Sequence, residues 1–335
     1  MINYYFQRSA RAVLTIWVVI TATFGMIRLL PGGPLAQLEA KLLRQGVPAG
    51  QVDAMLQTYQ NVHPDKPIEV QYIDYVVALI QGDLGTSISR NKPVMTIIAD
   101  ALPWTIFVMV TATFLIFAIA IVWGALMAYR EGGAFDLLSS GASIVLSSVP
   151  FYVLGIALII VFGYQLELLP TGYRSTSGID PESGLLVFIL DALDHAYLPI
   201  LSMVLAGVGL QALAMRGNAI QVLGADYVRV ARLRGLSDRR VAVRYVARNA
   251  ILPMYTGFLT LIGFNLGGSV ILEEVFNYNG IGYYMFLGLD NRDYPLMMGI
   301  FLIITTALVI SVYIADLTYG LIDPRITTGE SNETY

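Results

Sequence analysis

The chain has 335 residues, of which 56% are hydrophobic and only 13% charged, a balance outside the range of soluble globular domains and typical of an integral membrane protein. It contains no cysteine, so disulfides and thiolate metal sites are excluded. A net charge of -4, with the arginines gathered in one loop, speaks against nucleic acid as a partner.

In chain order, the apolar runs predict an all-α polytopic fold with six transmembrane helices. Arg8 and Arg11 precede a run from Ala12 to about Leu30, close to the lower length limit for one span. Arg28 and Pro31 end it, and no small-x-small cleavage site follows, so it reads as a retained span and not a signal peptide. Residues 31–100 are polar, with helical patches at Leu35–Leu43 and Val52–Tyr59 and breakers at Gly46, Pro48, Pro64 and Pro67. That is too ordered for a linker, and the expectation is an extracytoplasmic helical segment.

Span two is expected from about Trp104 to Tyr129, followed by a short turn with Arg130, Glu131 and Asp136. Span three continues to about Gly163. Within it Ser147, Ser148 and Pro150 loosen the helix, which a membrane tolerates only where protein or water satisfies the freed carbonyls. Residues 164–196 form a second polar segment whose apolar piece, Leu185–Leu190, is too short to span. Span four is expected over Tyr197–Met215 and span five over Ala250–Leu272, with Gly263 and Gly267 as a small-residue face for helix contact. Span six runs from Tyr294 to about Tyr319.

This divides the chain into a first span (1–30), the extracytoplasmic segment (31–100), a core with a cytoplasmic loop at 216–250 (101–325) and a polar tail (326–335). The proposed cytoplasmic segments hold twelve of the twenty lysines and arginines, and the external ones sixteen of the twenty-four acids. Both termini are therefore expected in the cytoplasm.

Between spans four and five lies the most basic stretch, with Arg216, Arg229, Arg232, Arg234, Arg239, Arg240, Arg244 and Arg248 opposed only by Asp226 and Asp238. It predicts two short helices: Asp226 caps the first, Gly235 ends it in a left-handed conformation, and Ser237 caps the second. Arg240, Arg244 and Arg248 then share a face, and Pro253 sits in the first turn of the next helix. Arginines alone would keep such a loop cytoplasmic and near anionic lipid, but they do not account for the order cap, helix, glycine, cap, helix.

Catalytic signatures are missing. Lys41, Lys66 and Lys92 are not preceded by glycine, so no GxxxxGK[ST] phosphate loop exists. His63 and His195 have no paired ligand spacing and read as ordinary histidines. Ser269 follows Gly267 and Gly268 but lacks a GxSxG frame. Polar residues in or beside the spans are pathway candidates because burial in lipid is costly: Ser148, Gln211, Asn265 and Ser269, with hydrogen bonding between helices as the equal alternative, then Glu273 at the outer end of span five, and Asp316, whose alternative is an interfacial residue that reaches headgroup water or pairs with a loop arginine.

The run DYVRVARLRGL (Asp226–Leu236), closed by RNAILP (Arg248–Pro253), resembles the coupling loop, or EAA loop, of permease subunits in binding-protein-dependent ABC importers of the dipeptide/oligopeptide/nickel branch. Arg229 and Val230 stand where the general motif has Glu and Ala, and the gap from Gly235 to Pro253 is longer than in sugar-type permeases. Both departures are usual in the peptide-type branch. Weaker likenesses lie at Arg28–Pro34 (Gly33 where Asp is more common), Gln71–Ile88, Ser148–Phe151, Leu169–Tyr173 and Glu273–Gly282 (Asn279 where Pro is common).

The resemblance implies a type I importer permease, without catalysis of its own, in a prokaryotic cell membrane. It also implies a second homologous permease, two ATPase subunits carrying ATP and Mg, and an external binding protein. Ala225, Asp226, Tyr227, Arg229, Ala231, Arg232, Arg234, Gly235 and Leu236 would couple to the ATPase. The cargo would be peptide, or an oligosaccharide, nickel or glutathione. A gradient-driven carrier with Asp316 as its coupling carboxylate is the rival from another class; no inverted repeat is evident to support it.

Overall fold

The computed structural model describes residues 2–29, 36–44, 46–48, 50–52, 67–237, 240–265 and 268–322. The turn at 31–34, most of the patch at 52–59, His63, Lys66, Asp238, Arg239, Gly267 and the tail lie outside the described residues, as does the side chain of Asp316.

Among the described residues the regular elements are helical, apart from one bridge between Thr86 and Pro93. In chain order they are α1 (Ile2–Leu29), α2 (Ala36–Arg44), α3 (Ile68–Ile80), α4 (Val94–Tyr129), α5 (Ala134–Ser148) and α6 (Phe151–Leu158, continued by a π turn over Ile159–Gln165). Then come α7 (Leu185–Leu223), α8 (Asp226–Leu233), a π turn over Val241–Ala247, α9 (Arg248–Asn265), α10 (Val270–Val275), α11 (Ile281–Asp290) and α12 (Tyr294–Ile322).

Four helices among the described residues are long and apolar enough to cross a membrane: Phe6–Met26, Val94–Tyr129, Leu185–Leu223 and Tyr294–Ile314. The pair Ala134–Ser148 and Phe151–Gln165 meets the same standard but is bent by 89°. The expected loosening of span three is thus a sharp break. Proline disfavours helical backbone in the residue before it, and Val149 accordingly adopts φ -95, ψ 123 ahead of Pro150. Ser147 and Ser148 turn back to the Ile144 carbonyl at 3.1 and 2.7 Å, a competing bond of the kind that bends helices.

Three expected boundaries are corrected. Span two begins at Val94 and not near Trp104, because Val94, Ile97, Ile98 and Ala101 repeat at helical spacing and are all buried. Leu185–Leu190 is no isolated apolar piece but the start of α7, which continues through Pro199. One acid that suggested a loop is satisfied locally: Asp191 accepts from the Thr176 backbone N–H at 2.8 Å and from its hydroxyl at 2.6 Å. The expected span five is interrupted: α9 is described to Asn265, Gly268 has φ +73, and α10 follows from Val270.

Two compact units divide the chain. The first comprises Met1–Thr105, Leu266–Val270 and Asn279–Tyr335. Its core joins Val94, Ile97, Ile98 and Ala101 of α4 to Ile281 and Tyr284 of α11 and Leu296 and Ile300 of α12. Next to it, the buried Asp293 accepts from Ser87 Oγ (2.6 Å), Ser89 N (2.8 Å) and Ser89 Oγ (2.7 Å), and its other oxygen accepts from Leu296 N (3.2 Å). One carboxylate thereby pins the 85–94 turn to the start of α12. The first half of α1 packs against the second half of α12, with Ser9 Oγ 2.8 Å from the Tyr313 hydroxyl.

The second unit comprises Ile106–Asn265 and Ile271–Tyr278. Here α7 is central and packs against α5, α6 and α9. Helices in lipid gain little from apolar burial, so close contact depends on small residues. At Gly209 the approach is extreme, since a Cβ there would lie 2.2 Å from the Ser143 carbonyl oxygen. The 169–173 loop is tied to the turn after α10 by Tyr173 N–H donating to the Phe276 carbonyl at 3.0 Å.

Candidate functional site

The basic loop builds a short amphipathic helix against its own chain. Of α8, Val228 and Ala231 are buried, and the helix contacts the π turn at Val241–Ala247 and the end of α7. Its other side carries Tyr227, Val230 and Leu233, exposed by 44%, 51% and 80%, and the exposed Arg229, Arg232 and Arg234. Of the nine residues expected to couple, Ala231 is therefore a packing residue of this chain, whereas Val230 and Leu233, not among the nine, stand outward. Amphipathic spacing carried that signal, because Val228 and Ala231 lie on one helical face and Val230 and Leu233 on the other.

The expected caps are partly redrawn. Asp226 is not the N-cap: Ala225 occupies that position at φ -73, ψ 144, with no side-chain cap bond. The Ala225 carbonyl accepts from Val228 N at 3.0 Å and Arg229 N at 3.3 Å. The chain leaves α7 through Gly224 and needs one extended residue before turning again, so Asp226 falls in the first turn. There its charge faces the positive end of the helix dipole without a hydrogen bond. Gly235 has φ +72, as expected, and its N–H donates to the Arg232 carbonyl at 2.9 Å.

The second short helix is absent as a separate element. The Ser237 carbonyl accepts from Arg240 N (2.9 Å) and Val241 N (3.0 Å), and the π turn then runs without a break into α9. Pro253 consequently lies inside α9, not in a first turn. Proline removes the bond its N–H would have made, and a wide π turn just upstream is a local adjustment by which helices accommodate that loss. Arg240, Arg244 and Arg248 are all exposed.

Seven residues before the end of α7 is a pair that sequence reasoning missed. Arg216 Nε donates to Asp136 Oδ1 at 2.6 Å and Nη2 to Oδ2 at 2.7 Å, while Gly132 N–H donates to Oδ2 at 3.0 Å. The pair joins the first turn of α5 to α7 about 10 Å before the end of that helix. Its signal was the rule that an ionisable residue in a span needs a named partner, applied to Arg216.

The pathway candidates are held by different neighbours. Ser148 is exposed beside the 89° break, with its hydroxyl on Ile144. Gln211 is half-buried on α7, and Ser269 is half-buried after the end of α9. Asn265 Nδ2 donates to Thr113 Oγ1 at 2.8 Å, a bond between α9 and α4. Glu273 is almost fully buried on α10, and Tyr278, whose N–H donates to the Glu273 carbonyl at 2.7 Å, has its phenol pKa pushed up by burial and by the neighbouring Glu273 charge. His195 Nδ1 lies 2.8 Å from the Asp191 carbonyl, and no cluster of three or more potential metal ligands occurs among the described residues.

Residues 120–328 match the family described as binding-protein-dependent transport system inner membrane component. Over 97% of this chain and 99% of the relative, the sequence is 30% identical to the di/tripeptide transport system permease protein DppB of Pseudomonas aeruginosa. It is likewise 30% identical to two Bacillus subtilis proteins, the dipeptide transport system permease protein DppB and the oligopeptide transport system permease protein AppB, over 97% of this chain and 98% and 99% of theirs.

Proposed function

The chain belongs to the binding-protein-dependent transport system inner membrane component family, and from that premise we propose that it is the permease subunit of an ATP-driven importer of peptides. In this reading six spans, with α9 and α10 forming the fifth, place both termini in the cytoplasm of a prokaryotic cell. A second permease completes the pathway, two ATPase subunits carry ATP and Mg, and an external binding protein delivers cargo on the side of residues 31–100. This chain supplies no catalytic group.

The observation that carries the reading is the two-sidedness of α8. A helix anchored through Val228 and Ala231 that shows solvent an 80% exposed Leu233, with Val230 and a fringe of arginines, is suited to a groove that covers its apolar face and pairs its charges. Closure of the ATP-bound subunits then moves α8 and α7 as a rigid body, since Asp136 and Arg216 tie α7 to α5. Along the pathway we place Ser148, Gln211, Asn265, Ser269, Glu273 and Asp316. Ser148 is the first to test, because it is exposed where the helix breaks.

The test is purification from the native membrane in mild detergent, identification of accompanying subunits by mass spectrometry, and peptide uptake with ATPase turnover in proteoliposomes. Co-purifying ATPase subunits that are lost with Arg232→Glu or Leu233→Asp support the proposal. Uptake by the chain alone, indifferent to ATP and abolished by Asp316→Asn, would replace it with a gradient-driven carrier. Competition by nickel, glutathione or oligosaccharide, but not by peptide, would move the cargo within the same family.

A further inference from the structure

The turn that leads into α4 is fastened from two directions. Within it, Ser87 N donates to the Lys92 carbonyl, Asn91 N to the Ser87 carbonyl and Val94 N to the Gly85 carbonyl, each at 2.9 Å. Across it, the buried Asp293 receives the Ser87 and Ser89 hydroxyls and the Ser89 N–H, so residues 291–293 lie against its tip. Asn91 and Arg292 hold left-handed backbone, at φ +51 and +52. That conformation is uncommon for a residue with a side chain and persists where surrounding bonds impose it.

Three cations stand on this tip: Arg90, Lys92 and Arg292, all exposed. Among the described residues none of them forms an ion pair, and the exposed Asp290 at the end of α11 pairs with none of them. The Arg90 guanidinium lies 4.9 Å from the centre of the buried Tyr284 ring, a contact that holds it in place without using its N–H donors. The tip also stands clear of hydrocarbon. Asp100 is exposed on α4, a charge that lipid tails do not tolerate, and Val94 lies about 9 Å further from the apolar stretch along the helix axis.

We propose that this tip is a docking point for an acidic face of the external binding protein, whose carboxylates meet Arg90, Lys92 and Arg292. Such docking presupposes a binding-protein-dependent permease, the function proposed for the chain, and fixes where and by what chemistry the partner is held. Segments assigned to the external side carry sixteen of the chain's twenty-four acids. An acidic partner is repelled by most of that face and drawn to the tip, which sets its register. A rigid array of cations suits the fixed carboxylates of a folded protein, since the tip pays no further ordering cost on contact. Diffusing lipid headgroups gain nothing from that rigidity.

The test uses the complete transporter in proteoliposomes with the purified binding protein that supports its peptide uptake. A carbodiimide, which joins an amine to a carboxylate with loss of water and leaves no spacer, should link Lys92 to the binding protein. The chain has only two other lysines, Lys41 and Lys66. Lys41→Arg with Lys66→Arg should keep the link, and Lys92→Arg, which retains the charge, should lose it. Arg90→Glu with Arg292→Glu should raise the binding-protein concentration that half-saturates uptake about ten-fold at low salt. High salt should shrink that difference, and Arg90→Lys with Arg292→Lys should stay near the wild type. An unaltered half-saturating concentration in the glutamate variant, or no link through Lys92, would overturn the docking point. A defect that follows the phosphatidylglycerol content of the vesicles, and not the binding-protein concentration, would overturn it in favour of lipid. Uptake that needs no binding protein would overturn both the docking point and the permease function on which it rests.

Discussion

Asp136 and Arg216 meet in a two-pronged ion pair, with nitrogen to oxygen distances of 2.6 and 2.7 Å, although eighty residues separate them in sequence. The aspartate is almost wholly buried and the arginine side chain is 28% exposed. Removing one partner of such a pair leaves the other desolvated and unanswered. Asp136→Ala is therefore expected to cost about 3 kcal/mol, the lower end of the range for buried pairs, since Arg216 retains some water. Asp136→Ala with Arg216→Ala should cost less than the sum of the singles. Thermal unfolding of the four proteins in one detergent gives the double-mutant cycle, and strict additivity would show the pair to be uncoupled.

At the end of α8 the backbone sets the outcome. Gly235 at φ +72 occupies a region that costs an L-residue about 1–2 kcal/mol. Gly235→Asp, or a charge reversal at Arg232, should leave thermal stability within about 2 kcal/mol while uncoupling ATP hydrolysis from peptide uptake. Gly235→Asn, a residue that tolerates this conformation, should retain more coupling than Gly235→Asp. Uptake and phosphate release in the same vesicles check this, and wild-type uptake in both Gly235→Asp and Arg232→Glu would rule the role out.

The approach of α5 to α7 at Gly209 leaves no room for a methyl group, because the obstacle is the Ser143 backbone oxygen at 2.2 Å and not a movable side chain. Gly209→Ala must separate the helices and is expected to destabilise by about 1–3 kcal/mol, the usual cost of overpacking. Gly217, with open space at its Cβ position, is the control on the same helix. There alanine should stabilise slightly, by up to about 1 kcal/mol, in the same melting experiment.

A pH dependence is expected in the 180–184 turn. Asp180 Oδ1 accepts from Ser183 Oγ and Ser183 N, both at 2.9 Å, and the hydroxyl bond, followed by the backbone bond, lowers its pKa below the usual aspartate value. A depressed folded pKa means the stabilisation is complete above the unfolded value, about 3.9, and disappears as pH falls through the lower, folded one. Hydrogen exchange of the Ser183 amide, corrected for intrinsic rate, should accelerate below about pH 4, and Asp180→Asn should reduce that acceleration. Unchanged protection down to pH 2 in the wild type would refute the cap.

How far the sequence could be read depended on the range of the interactions involved. The helical runs and the left-handed Gly235 follow from local patterns and were legible. The break at Pro150 was legible as a weakness but not as an 89° turn, because proline sets the φ and ψ of Val149 while the angle depends on what each half packs against. The start of α7 was misread since Asp191 looks like loop polarity until Thr176, fifteen residues earlier, is seen to satisfy it. Pro253 was assigned the start of a helix by local rules, and one continuous backbone through the π turn overrode that.

By itself the sequence determined the membrane environment, the family and the position of the basic segment around α8, because hydropathy, composition and a contiguous motif are properties of the chain taken in order. Only the tertiary structure decided which side of α8 is presented, that Asp136 answers Arg216, that Asp293 holds Ser87 and Ser89, and that Arg90 lies over Tyr284. Each of these joins residues distant in sequence. In an apolar medium the cost of an unpaired charge or polar group selects the partner, and that selection is made by proximity in space.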